Sequence, residues 1–407
     1  MGLQTQPELL FVLLAVIGGT ALVLGLTSRL LRDGPVTEPL AALVVGILIG
    51  PQVTGVVDAT DVDTGTIGTV ALIVLSASVM STALRHPPKD VRAVARAVVI
   101  LLAVALPVMA FASALVAALV VGLPAASAAV LGAVLAPTDS VLTSNAVNGE
   151  HAEHQVSSRL RTIISIESGS NDGLAAGLLF VCIAVALDAS VPREIASVSL
   201  TLVASAVFGI AVGWASGRLL VASERHHDIE HTAFLVLTLS LVAVVLGITE
   251  TFGGESVLAV FAAALAYAHV VPRDERRDER EVQEAVNEYL VLPVFTLLGI
   301  ALPWSEWADL GWAAPGLVLA VALVRRLPIA IGLGRALGVS RSEAFFLGWT
   351  GPVGVGSLYL ASLAVEHDGL DDRIWAAATL VVATSVVSHG VTASTVRRLT
   401  ARDEARD

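Results

Sequence analysis

The sequence predicts an all-α polytopic membrane protein of about thirteen transmembrane helices, in two inverted six-helix repeats whose fifth and twelfth spans are broken. Two observations lead there. Of 407 residues 55% are apolar and 15% charged, with mean hydropathy +0.81, where ordinary soluble domains carry roughly a quarter charged residues. Apolar runs of spanning length recur along the chain, and the basic residues between them alternate from loop to loop. The lipid bilayer is therefore the solvent to reason with.

A helix needs about 20 mainly apolar residues to cross, because in hydrocarbon every backbone polar group must be satisfied within the chain. The candidates lie at 8–28, 38–56, 66–84, 95–122, 125–147, 160–187, 195–217, 232–250, 254–272, 286–303, 312–334, 342–364 and 374–396. Residues 1–8 carry no Lys or Arg, so the first run lacks the charged region of a cleaved leader and is expected to be retained. Cys182 lies in the sixth run, and as the single cysteine it forms no intramolecular disulfide. An odd count divides into a first repeat over 1–187, a linking helix at 195–217 and a second repeat over 232–396 that the extra crossing turns upside down. Residues 397–407 are then a short cytoplasmic tail, with no regulatory domain expected after it.

Loops on one side of the membrane, with the tail, hold 20 of the 24 Lys and Arg residues. The other side holds only Arg193 and Arg373, among carboxylates such as Asp58, Asp61, Asp63, Glu306, Asp309, Asp371 and Asp372. The positive-inside rule then puts the N-terminus outside and the C-terminus in the cytoplasm of a multi-pass cell-membrane protein. The remaining two, Arg325 and Arg326, fall inside the eleventh span.

Inverted repeats place transport sites near the midplane, on helices interrupted at matching positions of the two halves. The fifth span contains Ala136-Pro137-Thr138-Asp139-Ser140. Its counterpart seven spans later, the twelfth, contains Gly351-Pro352-Val353-Gly354. Proline removes a donor and glycine weakens a helix, so Pro137, Gly351, Pro352 and Gly354 are expected to unwind both spans.

Few ionisable residues lie deep in the spans. Asp139 is in the fifth; Glu167 and Asp172 are in the sixth, with Ser168 and Asn171 between them. At roughly 100° per residue Glu167, Asn171, Ser168 and Asp172 fall at about 0°, 40°, 100° and 140°, in one sector of the helix. A charge at the bilayer centre costs at least ~2.5 kcal/mol, so such residues face the bundle interior and mark ion or proton pathways. Carboxylates, hydroxyls and freed carbonyls suit a hard cation, and no thiolate or imidazole is offered to zinc or copper. Burial also disfavours the charged form of a carboxylate, which makes a proton and a metal cation rivals for the same oxygens. Competition alone then yields exchange, provided the empty charged site crosses poorly. An unpaired guanidinium would be costly at this depth, so Glu167 is expected to pair with Arg326 or Arg325, the alternative being arginines that snorkel to the interface.

Ala136-Pro-Thr-Asp-Ser-Val141, followed by Ile166-Glu-Ser-Gly-Ser-Asn-Asp-Gly173, resembles the paired signatures of the sodium/proton antiporter family, in its Asn-Asp branch. Arg325-Arg-Leu-Pro-Ile329 and Gly351-Pro-Val-Gly-Val-Gly356 are similar to later segments of a subgroup that includes fungal plasma-membrane alkali-cation antiporters. The resemblance covers essentially all thirteen spans. It implies exchange of sodium, or of lithium or potassium, for protons by alternating access, and a homodimer. It also implies a moving core of helices 4–6 and 11–13 beside a dimerisation bundle of the others. Residue by residue it implies Asp172 as the main cation and proton carboxylate, with Asp139 and Ser168 as ligands and Thr138 adding its carbonyl. Asn171 stands where the electrogenic branch has aspartate, which implies electroneutral exchange. The chain departs from the family at Ser140, where proline is usual, and at Val353, where many relatives carry arginine.

No cofactor and no nucleic-acid partner is expected. His151 and His154, and His226, His227 and Asp228, read as polar loops, with a metal or pH-sensing role the alternative. The run Arg273 to Glu284 reads as a solvated cytoplasmic connector. Three rivals to exchange remain. A cation channel needs a continuous polar pore, whereas the polar groups here cluster at one depth. A proton-coupled carrier of an organic substrate calls for aromatic contacts, and 5% of residues are aromatic. A hydrolase using Ser168 would need a histidine base, for which the spans offer only His269 and His389.

Overall fold

The computed structural model describes residues 6–31, 37–147, 150–224, 231–272 and 289–404, and these are helical with no strand among them. Arg32, His226, His227, Asp228 and the run Arg273 to Glu284 lie outside the described residues, as does the side chain of His151. Each expected span is occupied by one helix or by a broken pair. Among the described residues six helical stretches, one of them the interrupted stretch Ala313–Leu337, are long and apolar enough to cross a membrane by length and composition.

Helix α1 runs Gln6–Leu31 and α2 Glu38–Ile49. The second ends seven residues before the expected 56, because Gly50 turns extended and Pro51 has no amide to continue the ladder. Asp63 starts α3 (Thr64–Arg85) by accepting the Thr66 amide at 2.6 Å, and most of α3 is buried. Helix α4 spans Pro88–Val121 and begins seven residues earlier than expected. Its first turns are amphipathic rather than apolar, with Lys89, Arg92 and Arg96 exposed while Val94, Ala97 and Val98 are buried. Pro107 removes one amide, and the turn before it widens to a π-turn over Leu101–Ala105.

The fifth span divides into α5 (Ala125–Val134) and α6 (Ser140–Val147), followed by the short α7 (Glu150–Gln155). Then come α8 (Ser158–Ala186), α9 (Val191–Glu224), α10 (His231–Thr251), α11 (Ser256–Val270) and α12 (Tyr289–Ile300). After α13 (Trp304–Asp309), the eleventh span divides into α14 (Ala313–Val324) and α15 (Leu327–Leu337). The twelfth divides into α16 (Arg341–Trp349) and α17 (Val355–Val365), and α18 (Arg373–Glu404) carries the helix through most of the expected tail.

Burial sorts these helices. Helices α3, α8 and α17 are wrapped by others, whereas α9 leaves Leu200, Val203, Val207 and Ile210 exposed, as suits a helix bathed in lipid. It lies directly on α11. At Gly209 and Gly213 any Cβ would collide with the carbonyl oxygens of Ala259 and Ala263, so the two backbones touch. Arg159 of α8 donates to the carbonyls of Leu337 (2.8 Å) and Gly338 (2.9 Å), and Ser157 donates to Glu343 (2.8 Å). These bonds tie the start of α8 to the turn between α15 and α16.

Candidate functional site

Three broken spans meet around the middle of α8. Residues 135–139 leave the helix around Pro137, and residues 350–354 leave it around Pro352. The two unwound segments run against each other, and the Asp139 amide donates to the Pro352 carbonyl at 3.0 Å. Each break strands amides at the start of one half-helix and carbonyls at the end of the other, far from water.

Side chains satisfy these groups, with charge matched to the helix ends. Arg325 Nη1 donates to the carbonyls of Leu135 (3.0 Å), Ala136 (3.1 Å) and Pro137 (3.0 Å), and its Nη2 donates to that of Gly351. Arg326 Nε donates to Leu347 O at 3.0 Å. A positive charge therefore sits at the C-terminal ends of α5 and α16. Asp139 does the reverse: Oδ1 accepts the amides of Val141 (2.7 Å) and Leu142 (2.8 Å), and Oδ2 accepts that of Val355. One carboxylate thus caps α6 and α17 together, where both dipoles favour an anion.

Both arginines reach these positions because the eleventh span is also broken, which its apolar pattern did not announce. Pro328 in the first turn of α15 offers no amide to the Val324 carbonyl, and Arg326 leaves the helical conformation (φ −121°, ψ −39°). Neither snorkels; they are 3% and 4% exposed. Arg326 instead makes a two-pronged pair with Glu167, Nη1 to Oε1 and Nη2 to Oε2, both at 2.9 Å. Val353, where many relatives have arginine, donates its amide to Ser385 Oγ (2.9 Å), and Ser140 meets Ser78 hydroxyl to hydroxyl at 2.9 Å.

The polar sector of α8 separates into two parts. Thr138 joins Ser168 (2.9 Å), Asn171 Nδ2 (2.7 Å) and Glu167 Oε2 (3.4 Å) through its hydroxyl, and Asn171 Nδ2 also donates to Glu167 Oε1 (3.1 Å). Asp172 stands apart from this network. It is 2% exposed, and neither of its oxygens has a hydrogen-bond partner among the described residues; nor does Asn171 Oδ1. Its Oδ1 lies so close to Gly356, near the start of α17, that a methyl group there would overlap it. At ordinary charges Asp139 and Glu167 balance Arg325 and Arg326, and Asp172 is left over as a buried charge, as is Glu255 before α11. Open carboxylate and amide oxygens are what a hard cation or a proton would complete. No cluster of three His, Cys, Asp or Glu side chains that could hold a metal is present among the described residues.

Over residues 12–398 the chain matches the family model described as sodium/hydrogen exchanger, transmembrane. It belongs to the sodium/hydrogen exchanger family. Among the relatives of this exchanger-family chain is Na(+)/H(+) antiporter 2 of Zygosaccharomyces rouxii, 28% identical over 299 residues, which are 65% of this chain and 37% of that one. An Na(+)/H(+) antiporter of Schizosaccharomyces pombe is 25% identical over 396 residues, 87% of this chain and 83% of that one. The chain spans only 30% to 37% of the length of three of its fungal relatives, the Zygosaccharomyces rouxii protein among them. In fold it is similar to the sodium proton antiporter MjNhaP1 from Methanocaldococcus jannaschii, with a TM-score of 0.75 at 17% identity over 98% of each chain. The relatives named are transporters, not enzymes.

Within the exchanger-family sequence, Asp139, Glu167, Asn171 and Asp172 are visible as charges or amides in apolar runs. The carbonyl clamp of Arg325 is not, although Pro328 three residues on is a signal for the break that permits it.

Proposed function

We propose that this chain is a secondary antiporter that exchanges an alkali cation, sodium first, for protons, the two competing for Asp172. The observation that carries this reading is the unpartnered, buried carboxylate of Asp172 beside the crossing of two unwound segments. A bare charge there is costly to move through hydrocarbon. One proton or one cation removes that cost, so the loaded site moves and the empty one does not. Asn171, an amide already committed to Thr138 and Glu167, adds no second titrating group, which supports one cation for one proton and electroneutral exchange. Asp139 serves as a fixed counter-charge at the two half-helix starts and as a cation ligand only through a lone pair the amides leave.

In this reading the core of spans 4–6 and 11–13 moves against the remaining helices by alternating access, each protomer of a homodimer acting in a cell membrane. The N-terminus is outside and the C-terminus inside, and the repeats over 1–187 and 232–396 are inverted about the helix at 195–217. Relatives in Shewanella are named K(+)/H(+) antiporters at 23% identity, so potassium belongs in the test. The experiment is proton movement in proteoliposomes, followed by a pH-sensitive dye on addition of sodium, potassium or lithium, for the native protein and for Asp172→Asn. A cation-evoked pH change that is lost in the variant and unaltered by clamping the membrane potential is expected. No response of the native protein to any alkali cation at several pH values would overturn the reading in favour of an organic-substrate carrier.

A further inference from the structure

Next to Asp172 on α8 is Gly173, and a second buried carboxyl group lies against it. A Cβ at Gly173 would stand 2.5 Å from Glu255 Oε2 and 3.0 Å from its Cδ, so only glycine lets this carboxyl reach α8. Glu255 precedes α11 and caps it: Oε2 accepts the Leu258 amide at 2.6 Å, while its own amide donates to Ser205 Oγ at 2.8 Å. Capping uses one oxygen. The other, Oε1, is buried without a hydrogen-bond partner among the described residues, in a side chain whose residue is 8% exposed.

A cap does not call for this residue. Ser, Thr, Asp or Asn does the same with a shorter side chain, and an unsatisfied buried acceptor costs ~1–3 kcal/mol. The surroundings are built from oxygen. Ser256, 1% exposed, donates its hydroxyl to Glu250 Oε1 at 2.6 Å and keeps its lone pairs free to accept. Thr249 Oγ1 is also buried and unpartnered, and the methyl group of the same side chain packs against Gly254, the residue before Glu255. Because Glu255 packs at the residue next to Asp172, two buried carboxyl groups with unpartnered oxygens stand at adjacent positions along α8. An alkali cation held there would relieve the repulsion between them as well as the orphaned oxygen.

We propose that Glu255, with Ser256 and Thr249, forms a second, oxygen-lined cation site through which an alkali cation passes on its way to or from Asp172. The proposal rests on the exchange reading above, and the experiment separates the two. Sodium dependence of exchange is measured in proteoliposomes for the native protein, Glu255→Gln and Glu255→Asp, together with the sodium concentration that half-maximally raises the melting temperature in detergent. Glutamine keeps an acceptor for the Leu258 amide, so the cap and the fold are retained. Half-saturating sodium is expected to rise on the order of tenfold in Glu255→Gln, more than the maximal rate falls, with a matching shift in the stabilisation midpoint and partial recovery in Glu255→Asp. Unchanged half-saturation and midpoint in Glu255→Gln, in a native protein that does exchange, would reduce Glu255 to a cap and overturn this site alone. A native protein that responds to no alkali cation overturns the exchange reading and this site with it.

Discussion

Arg326 grips Glu167 through two parallel 2.9 Å bonds, although 159 positions separate them in the chain. The pair is buried on both sides and joins the broken eleventh span to the middle of α8. Removing one partner leaves an uncompensated charge in a low-dielectric interior, which costs ~3–5 kcal/mol. Arg326→Ala is therefore expected to lower the melting temperature sharply in detergent, and Arg326→Ala with Glu167→Gln to recover part of the loss. A single variant as stable as the native protein would show that the pair contributes little to the fold.

A related test concerns Asp139, whose two oxygens face amides only. Asparagine has nearly the same shape but must turn its NH2 group toward Val355 or toward Val141 and Leu142, setting donor against donor. A loss of ~1–3 kcal/mol of stability is expected, with faster hydrogen exchange at the starts of α6 and α17. Reduced sodium affinity with native stability and exchange rates would instead make Asp139 chiefly a ligand.

How much of this was legible beforehand depends on the range of the signal. The breaks at 135–139 and 350–354 follow from Pro137 and from the Gly-Pro-x-Gly run, both local. The polar sector of α8 follows from the helical repeat, which gives direction but not partner. Thr138 therefore gathers three of the four residues while Asp172 faces α17 instead. What Asp139 caps was not readable, because Val355 lies 216 positions away. The break at Arg325-Arg326 was hidden by apolar residues continuing on both sides, and Glu255 by standing at the end of a span, where acidic residues are ordinary.

A Cβ at Gly356 would overlap the Asp172 carboxylate, so Gly356→Ala must displace either the carboxylate or α17. Exchange is expected to fall on the order of tenfold or more while protein level in the membrane is maintained. Gly332→Ala is the control, since nothing lies within 4 Å of a Cβ at Gly332. Equal activity in the two variants would mean that the approach at Gly356 does not matter to transport.

At the start of α18, Asp371 accepts from Arg373 Nε (2.9 Å) and Nη2 (2.8 Å), while Arg373 Nη1 reaches the Val121 carbonyl at the end of α4 (3.0 Å). The side-chain bond from Arg373 holds the Asp371 carboxyl below its ordinary range. A depressed carboxyl stabilises the fold above its unfolded pKa near 4, and that contribution is lost as pH falls through the lower folded value. Because Arg373 is partly exposed, the pair is worth at most ~1 kcal/mol. Asp371→Asn is expected to lower the melting temperature slightly at pH 7, by an amount that shrinks as pH falls below about 4. A constant difference across that range would exclude the pair as its source.

Asn171 offers the sharpest test of stoichiometry. Its Nδ2 donates to Glu167 Oε1 at 3.1 Å and to Thr138 Oγ1 at 2.7 Å, so Asn171→Asp places an acceptor where a donor is needed, beside an existing carboxylate. Two carboxylates at that separation cannot both stay ionised cheaply, and the new one is expected to take up a proton to restore the bond to Glu167. If that proton is released and rebound during the cycle, exchange gains a net charge movement. Sodium-evoked proton flux in Asn171→Asp is then expected to change when valinomycin and potassium impose a membrane potential, while native flux does not. Flux in the variant that is active and still indifferent to the potential would show that the added proton stays bound, and that charge balance is set by Asp172 alone.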